Sequence, residues 1–113
     1  MKAFYSDHFV LPLPEGHRFP MAKYSMLREG VAQELPAVQL LEAPPATEGE
    51  LALAHAPDYV QAVKAGTLSP EALREIGFPW TPAMAESSVL SAGASFAEGR
   101  VANKELIAVN MAG

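Results

Sequence analysis

The sequence predicts an α/β domain built on a parallel sheet, because short apolar runs alternate with segments of helical periodicity along its 113 residues. The apolar runs lie at residues 2–6, 38–41 and 106–111, and helical patterns separate them. Strands separated by helices need crossover connections, which favour parallel pairing. The last run is apolar enough to be buried on both faces of a sheet. We therefore expect about three parallel strands with helices packed against them.

The segment between the first strand and the first helix is predicted to be a long loop. Pro12, Pro14 and Pro20 interrupt regular structure there, because proline fixes φ and lacks a backbone N–H. From Met21 to Leu35, apolar residues recur at three- and four-residue steps, which predicts an amphipathic helix. The apolar face of that helix consists of Tyr24, Leu27, Val31 and Leu35.

Two short helices are predicted after the second strand. Thr47 and Glu50 have the spacing of a capping box, in which the hydroxyl accepts a backbone N–H and the carboxylate reaches back to the cap. Pro57 then restarts a helix, because proline is well suited to the first helical position, and Gly66 ends it.

Two further helices are predicted where a hydroxyl residue precedes a proline. Ser69-Pro70 and Thr81-Pro82 each combine an N-cap with a proline at the first helical position. The second helix is rich in small residues, which allow close approach to a sheet. It is predicted to run to about Glu98 and to end at Gly99.

Composition excludes several function classes. The net charge is −5 and the lysines and arginines are spread singly, so no nucleic-acid partner is expected. The chain has no cysteine, which excludes disulfides and thiolate chemistry and favours a reducing compartment. No apolar stretch is long enough for a signal core or a membrane span. A soluble, cytoplasmic protein without a membrane partner is the expectation.

The residues alone do not indicate a catalytic or metal site. The three histidines, His8, His17 and His55, show no ligand spacing with acidic residues, so no metal site is predicted within this chain. The sequence contains no Gly-x-Ser-x-Gly elbow, no Gly-x-Gly-x-x-Gly and no Walker loop, so neither a serine nucleophile nor a nucleotide site is indicated. No catalytic residue is assigned.

Aromatic side chains in two loops have two interpretations each. Phe78 and Trp80 precede the helix cap at Thr81, where they would either line a ligand groove or anchor the loop onto the core. Phe9 would form either the lip of a channel or part of a loop packed on the sheet, with packing favoured.

Four stretches, taken in order, carry a resemblance that covers essentially the whole chain. They are Phe4–Asp7, Gly16–Tyr24, His55–Val60 and Ala108–Gly113. Together they resemble the histone deacetylase family of zinc-dependent deacetylases, especially its smaller class-IV-like and bacterial members. The second and third are the most specific, because family members carry a similar His-x-Phe/Pro segment before the first helix and a His-x-x-x-Tyr segment after the second strand.

The resemblance implies the three-layer α/β/α arginase/deacetylase fold, whose first three strands are sheet neighbours. Residues 1–113 would be the N-terminal part of a single deacetylase domain. In that family, a second glycine and a tandem His-His pair follow the segment that resembles Ala108–Gly113, and the zinc ligands lie further on. This chain has none of them. The resemblance therefore implies zinc in the complete enzyme, none on this chain alone, and a fragment inactive by itself.

The resemblance also implies which residues approach the site. Lys23 looks like the basic residue, often arginine, that family members place beside an internal channel below the zinc. Residues 8–19 resemble one rim loop, and the loop around residues 78–80 resembles a second, where an acyl-amine substrate would lie. The rim and channel candidates are Phe9, His17, Arg18, Lys23, Phe78 and Trp80.

The expected function is hydrolysis of acetyl-lysine or acetylpolyamine-type amides by the complete enzyme. A non-catalytic interaction or structural module, or one half of a split enzyme, is the alternative. A sheet that lacks its further strands leaves a free edge, so self-association or a companion C-terminal chain is expected.

Overall fold

The computed structural model describes residues 1–7 and 22–111 of the chain. The elements in chain order are β1 (Lys2–Tyr5), α1 (Lys23–Glu34), β2 (Gln39–Glu42), α2 (Glu48–Ala52), α3 (Pro57–Ala65), α4 (Pro70–Ile76), α5 (Pro82–Glu105) and β3 (Ala108–Asn110). The predicted alternation of strands and helices is confirmed.

The three strands form one parallel sheet in the order β2-β1-β3. Ala3 of the central strand is in register with Leu40 on one side and Val109 on the other. The hydrogen bonding continues past the strand ends, where the Ala43 N–H donates to the Tyr5 carbonyl oxygen at 2.7 Å. The predicted parallel sheet is confirmed.

The two faces of the sheet are covered unequally. Phe4 points to α5, and the core cluster consists of Phe4, Ala43, Ala94 and Ala97. Ala3 points to the opposite face, because side chains alternate along a strand, and it lines a groove there together with residues of α1. One face is therefore closed by α5, while α1 lies over the other.

The last helix is longer than predicted. It begins at the Thr81 cap, whose hydroxyl accepts the Met84 N–H at 3.0 Å, and it continues through Gly99 to Glu105. A β-carbon at Gly99 would meet open space, so this glycine lies on an exposed face, where it costs only about 1 kcal/mol relative to alanine. Val101, beyond the predicted end, packs against the core cluster. This packing outweighs the local stop signal.

The predicted close approach of α5 is made at Gly93. A β-carbon there would lie 1.8 Å from the Pro44 carbonyl oxygen and 2.6 Å from the Ala46 nitrogen. The Ala46 N–H donates to the Val89 carbonyl oxygen of α5 at 3.0 Å. The contact is therefore with the backbone just after β2.

The predicted helix starts are confirmed. Thr47 and Glu50 form both hydrogen bonds of a capping box, at 3.1 and 2.9 Å. Glu50 also pairs with Arg100 of α5, which ties the start of α2 to the long helix. The hydroxyl of Ser69 caps α4, and α3 ends at Gly66 in the left-handed conformation.

The sequence prediction was wrong about burial on the open face. The amphipathic helix is present as α1, but none of its residues is buried, and Leu27 and Leu35 remain 50% and 53% exposed. Val109 of β3 is 38% exposed, so this strand is not buried on both faces. The physical reason is that, among the described residues, β3 pairs only with β1 and α1 stands off the sheet.

Candidate functional site

The carboxyl ends of β1 and β3 form the point where the sheet topology reverses. Because β1 lies between β2 and β3, the crossovers that follow β1 and β2 run in opposite directions. Ligands of open parallel sheets bind outside the carboxyl ends of the strands at such a reversal. We define the carboxyl edge as the last residues of the two strands, Tyr5 and Asn110, together with the residues that follow them, Ser6, Asp7 and Met111. This edge is the candidate site.

A charged pair joins the carboxyl edge to α1. The Arg28 Nε lies 3.1 Å from Asp7 Oδ2 in a salt bridge, and the Asp7 side chain is only 4% exposed. The Arg28 guanidinium carbon also lies 4.7 Å from the centre of the Tyr5 ring, within cation–π range. The pair fixes the direction in which the chain leaves β1.

The second oxygen of Asp7 provides an open acceptor at this edge. Asp7 Oδ1 is buried and accepts no hydrogen bond from the described part of the chain. A buried acceptor without a donor is costly, so such groups usually mark a position where another donor arrives. Asp7 can therefore accept an N–H or O–H from a ligand or from another part of the polypeptide.

Asn110 fixes the end of β3 from two directions. Its Nδ2 donates to Ser95 Oγ at 2.8 Å and to the Ser91 carbonyl oxygen at 3.4 Å, both on α5. In the sheet, the Met111 N–H donates to the Phe4 carbonyl oxygen at 2.9 Å. The chain therefore leaves β3 at a fixed position on the carboxyl edge.

Lys23 lines the groove between α1 and the open face of the sheet. This α1 groove has a volume of about 780 Å³ and is largely apolar. Leu27, Val31 and Leu35 of α1 form one wall, and Ala3 and Val109 of the sheet form the other. Lys23, Asn110 and Met111 also line it.

Phe78 and Trp80 lie in a different part of the molecule. Trp80 Nε1 donates to the Val63 carbonyl oxygen of α3 at 2.6 Å. Its ring covers Gly66, where a β-carbon would lie 2.9 Å from ring carbons. Phe78 is half-buried in the same connection between α4 and α5. For Trp80 the geometry is that of an anchor, one of the two roles left open by the sequence.

The structure thus separates the candidates that the sequence grouped. Lys23 shares a groove with the carboxyl edge, whereas Trp80 packs on α3. Phe9, His17 and Arg18 lie outside the described residues, so their predicted rim position stays a prediction.

The Asp7–Arg28 pair was not predicted as part of a site. Arg28 has the polar spacing of an ordinary exposed helix position, and only the tertiary fold brings it to Asp7. The available signal was the position of Asp7, an acidic residue just beyond a predicted parallel strand.

A metal site does not form from the described residues. Within 1–7 and 22–111, no three histidine or acidic side chains lie close enough to hold an ion. Zinc therefore does not fit this part of the chain. In the same ranges, no helix has the length and apolarity needed to cross a membrane.

Comparison with known proteins finds a longer relative of this chain. No protein-family model matches the chain. The chain is similar to an uncharacterized protein of Picosynechococcus sp., with 35% identity over 114 residues. The match covers 96% of this chain and 37% of the relative. The chain thus spans little more than a third of the length of the curated relative that it matches.

Proposed function

We propose that residues 1–113 are the N-terminal part of a zinc-dependent amidohydrolase similar to the histone deacetylases. The complete enzyme would remove acetyl groups from acetyl-lysine or acetylpolyamine-type substrates. This chain supplies sheet, rim and one channel wall, and it is inactive alone.

The observation that carries the proposal is the position of Asn110 at the sheet reversal. Ala108–Gly113 is the stretch whose family counterpart leads into the tandem histidines. Its described part ends on the carboxyl edge, held by Ser95 and by the backbone of Phe4. Residues that follow such a strand end face the position where parallel sheets bind ligands. A catalytic segment would therefore start from a rigid base.

The strand order supports the finer fold assignment. The three strands lie side by side in one parallel sheet with β1 in the middle, and the arginase/deacetylase fold likewise has its first three strands side by side. Helices lie on both faces, with α5 against Phe4 and α1 over Ala3. The longer Picosynechococcus relative provides room for the remaining strands of such a fold.

Lys23 is assigned the role of a positive charge beside the channel. It lines the same groove as Asn110 and Met111 of the carboxyl edge, and its ammonium nitrogen lies 5.0 Å from the centre of the Tyr24 ring. A fixed positive charge there would attract the acetate product. Lysine offers a point charge rather than the planar fork of arginine, so the attraction would be less directional.

The resemblance implies that the zinc ligands follow Gly113 in the complete enzyme, and the described residues of this chain do not group three ligands for an ion. Once bound, zinc would activate a water molecule for attack on the amide. The contribution of residues 1–113 is positional: Asp7 and Arg28 fix the end of β1, and Asn110 fixes the end of β3.

A second candidate is an interaction module or one half of a split enzyme. The exposed apolar residues of α1 and β3 favour it, because a surface of this kind needs a partner. The two candidates differ in whether the longer polypeptide hydrolyses an amide.

An amidase assay on the full-length Picosynechococcus relative tests the proposal. We expect hydrolysis of an acetyl-lysine peptide, loss of activity after zinc chelation and recovery when zinc returns. Residues 1–113 alone, assayed in parallel, should show no hydrolysis. A relative that is folded and zinc-supplied but hydrolyses neither acetyl-lysine nor acetylpolyamine would overturn the assignment.

A further inference from the structure

We propose that residues 47–56, which contain α2, form a lid that opens without unfolding of the sheet and the long helix. Two carboxylates in the first turn of α2 hold it closed, one bound to α3 and the other to α5. We call these residues the α2 lid. It covers a pocket between α2, α3 and α5. The inference does not depend on the zinc chemistry proposed above.

The pocket beneath the α2 lid has a volume of about 240 Å³ and is largely apolar. Leu51 of α2 and His55, which follows this helix, border it on the side of the lid. The opposite walls are apolar side chains of α3, α4 and α5, among them Val60, Val63, Ile76, Met84 and Val89. Movement of the lid would therefore expose apolar side chains of the neighbouring helices.

The α2 lid is tied to two helices through its charges. The Lys64 Nζ and the Gln61 Nε2 of α3 donate to Glu48 Oε1 at 3.1 and 3.2 Å. Glu50 pairs with Arg100 of α5, and its side chain is only 16% exposed. The hydrogen bond from Lys64 and, after it, the one from Gln61 lower the pKa of Glu48, because both favour the charged carboxylate. Each carboxylate thus joins the lid to a different helix.

Apolar packing contributes little to holding the α2 lid in place. No residue of α2 is buried, and Leu53 at its end is 78% exposed. With five residues, α2 is also too short to be stable without contacts to the rest of the protein. Segments with few buried apolar contacts open at a lower free energy than the whole fold. The polar contacts of the first turn therefore decide how often the lid opens.

The α2 lid lies between two fixed points of the chain. Before it, Ala46 is buried, and its N–H donates to the Val89 carbonyl oxygen of α5 at 3.0 Å. After it, Pro57 begins α3, which is anchored by the buried side chain of Val60. The residues between these points can move without displacing either anchor.

Amide hydrogen exchange on residues 1–113 tests whether the lid opens by itself. The N–H groups of Leu51 and His55 donate within the lid, each at 3.0 Å. We expect these amides to exchange roughly tenfold or more faster than the amide of Ala94 in the core, each relative to its rate in the unfolded chain. Equal protection would mean that α2 opens only when the whole fold unfolds, which would overturn the proposal.

A core variant separates local opening from global unfolding. Leu41 of β2 packs against the core cluster, so Leu41→Val should raise exchange at Ala94 roughly fivefold through lower global stability. Exchange at Leu51 and His55 should not change, because the lid opens while the core stays folded. An equal rise at all three amides would contradict independent opening.

Charge-removing variants test what holds the lid closed. Glu48→Gln and Glu50→Gln keep the shape of the side chain, and glutamine also serves in capping boxes. Each should raise exchange at Leu51 and His55 by roughly two- to fivefold, because one ion pair is lost. The matched control is Glu71→Gln, which removes a charge from an exposed pair on α4 and should leave both amides unchanged. The assignment of the two carboxylates fails if their variants behave like this control.

A thiol placed in the pocket reports whether opening gives access to it. The chain has no cysteine, so Ala92→Cys puts a single thiol on the α5 wall. We expect its alkylation by iodoacetamide to rise roughly two- to fivefold when Glu50→Gln is added and to stay unchanged when Leu41→Val is added. Gly99→Cys, at an open surface position of the same helix, should be alkylated at one rate in all three backgrounds. A rate for Ala92→Cys that ignores Glu50→Gln would overturn the lid.

Discussion

Gly93 lies so close to Pro44 that a β-carbon on the glycine would be 1.8 Å from the proline carbonyl oxygen. At this distance, α5 contacts the segment after β2 backbone to backbone. The Ala46 N–H can then reach the Val89 carbonyl oxygen at 3.0 Å. This contact sets the position of α5 on the sheet, and with it the point where β3 begins.

Gly93→Ala should destabilise the fold by more than about 3 kcal/mol, because neither backbone can shift without losing the Ala46 hydrogen bond. Gly99→Ala is the matched control in the same helix. Its β-carbon meets open space, so it should stabilise by about 0.5–1 kcal/mol through helix propensity. Urea unfolding followed by circular dichroism measures both. Equal free energies of unfolding for the two variants would contradict the close contact.

The Asp7–Arg28 pair should contribute measurably to stability. We expect a coupling free energy of roughly 1–3 kcal/mol, below the value for a fully buried pair because Arg28 is 37% exposed. A double-mutant cycle of Asp7→Ala and Arg28→Met measures it. The exposed pair Arg74–Glu71 is the control, and its coupling should be within about 0.5 kcal/mol of zero. Similar coupling free energies in the two pairs would show that the burial of Asp7 does not strengthen its interaction with Arg28.

Gly66 and Gly77 should respond differently to alanine. Both have positive φ, so each substitution costs about 1–2 kcal/mol in backbone strain. Only at Gly66 would the new β-carbon also meet the Trp80 ring, which should add roughly 1–2 kcal/mol. Trp80 is the single tryptophan of the chain, so its fluorescence reports the contact. The emission should change in Gly66→Ala alone, and an unchanged spectrum there would argue against the anchor role.

The capping box of α2 should make stability depend on acid pH. The hydrogen bond from the Thr47 N–H and, after it, Arg100 lower the pKa of Glu50 below its ordinary value of 4.5. The Glu50 carboxylate therefore binds a proton more readily in the unfolded chain than in the folded one. The stabilisation from its contacts in the capping box is complete above pH 4.5 and is lost as the pH falls below that value. Glu50→Gln should lower the melting temperature at neutral pH and converge with the wild type in acid. A constant difference at every pH would contradict this assignment.

Local signals made much of the fold predictable. Hydroxyl caps before proline at Ser69 and Thr81, and the capping box at Thr47, act within one helical turn, so the helix starts could be predicted from neighbouring residues. The alternation of strands and helices likewise indicated a parallel sheet.

Long-range packing decided what the sequence did not predict. The end of α5 depends on Val101 reaching the core, which overrides the stop signal at Gly99. The Asp7–Arg28 contact depends on how α1 is placed over the sheet. The exposure of Val109 depends on which elements cover the open face, which strand periodicity alone does not specify.

Zinc analysis tests the central claim, that this chain is one part of a larger zinc amidohydrolase. The full-length Picosynechococcus relative and residues 1–113 would be purified from zinc-supplemented medium and analysed by plasma mass spectrometry. We predict about one zinc per molecule of the relative, as in a mononuclear catalytic site, and none on residues 1–113. A folded relative without zinc, or stoichiometric zinc on residues 1–113, would contradict the claim.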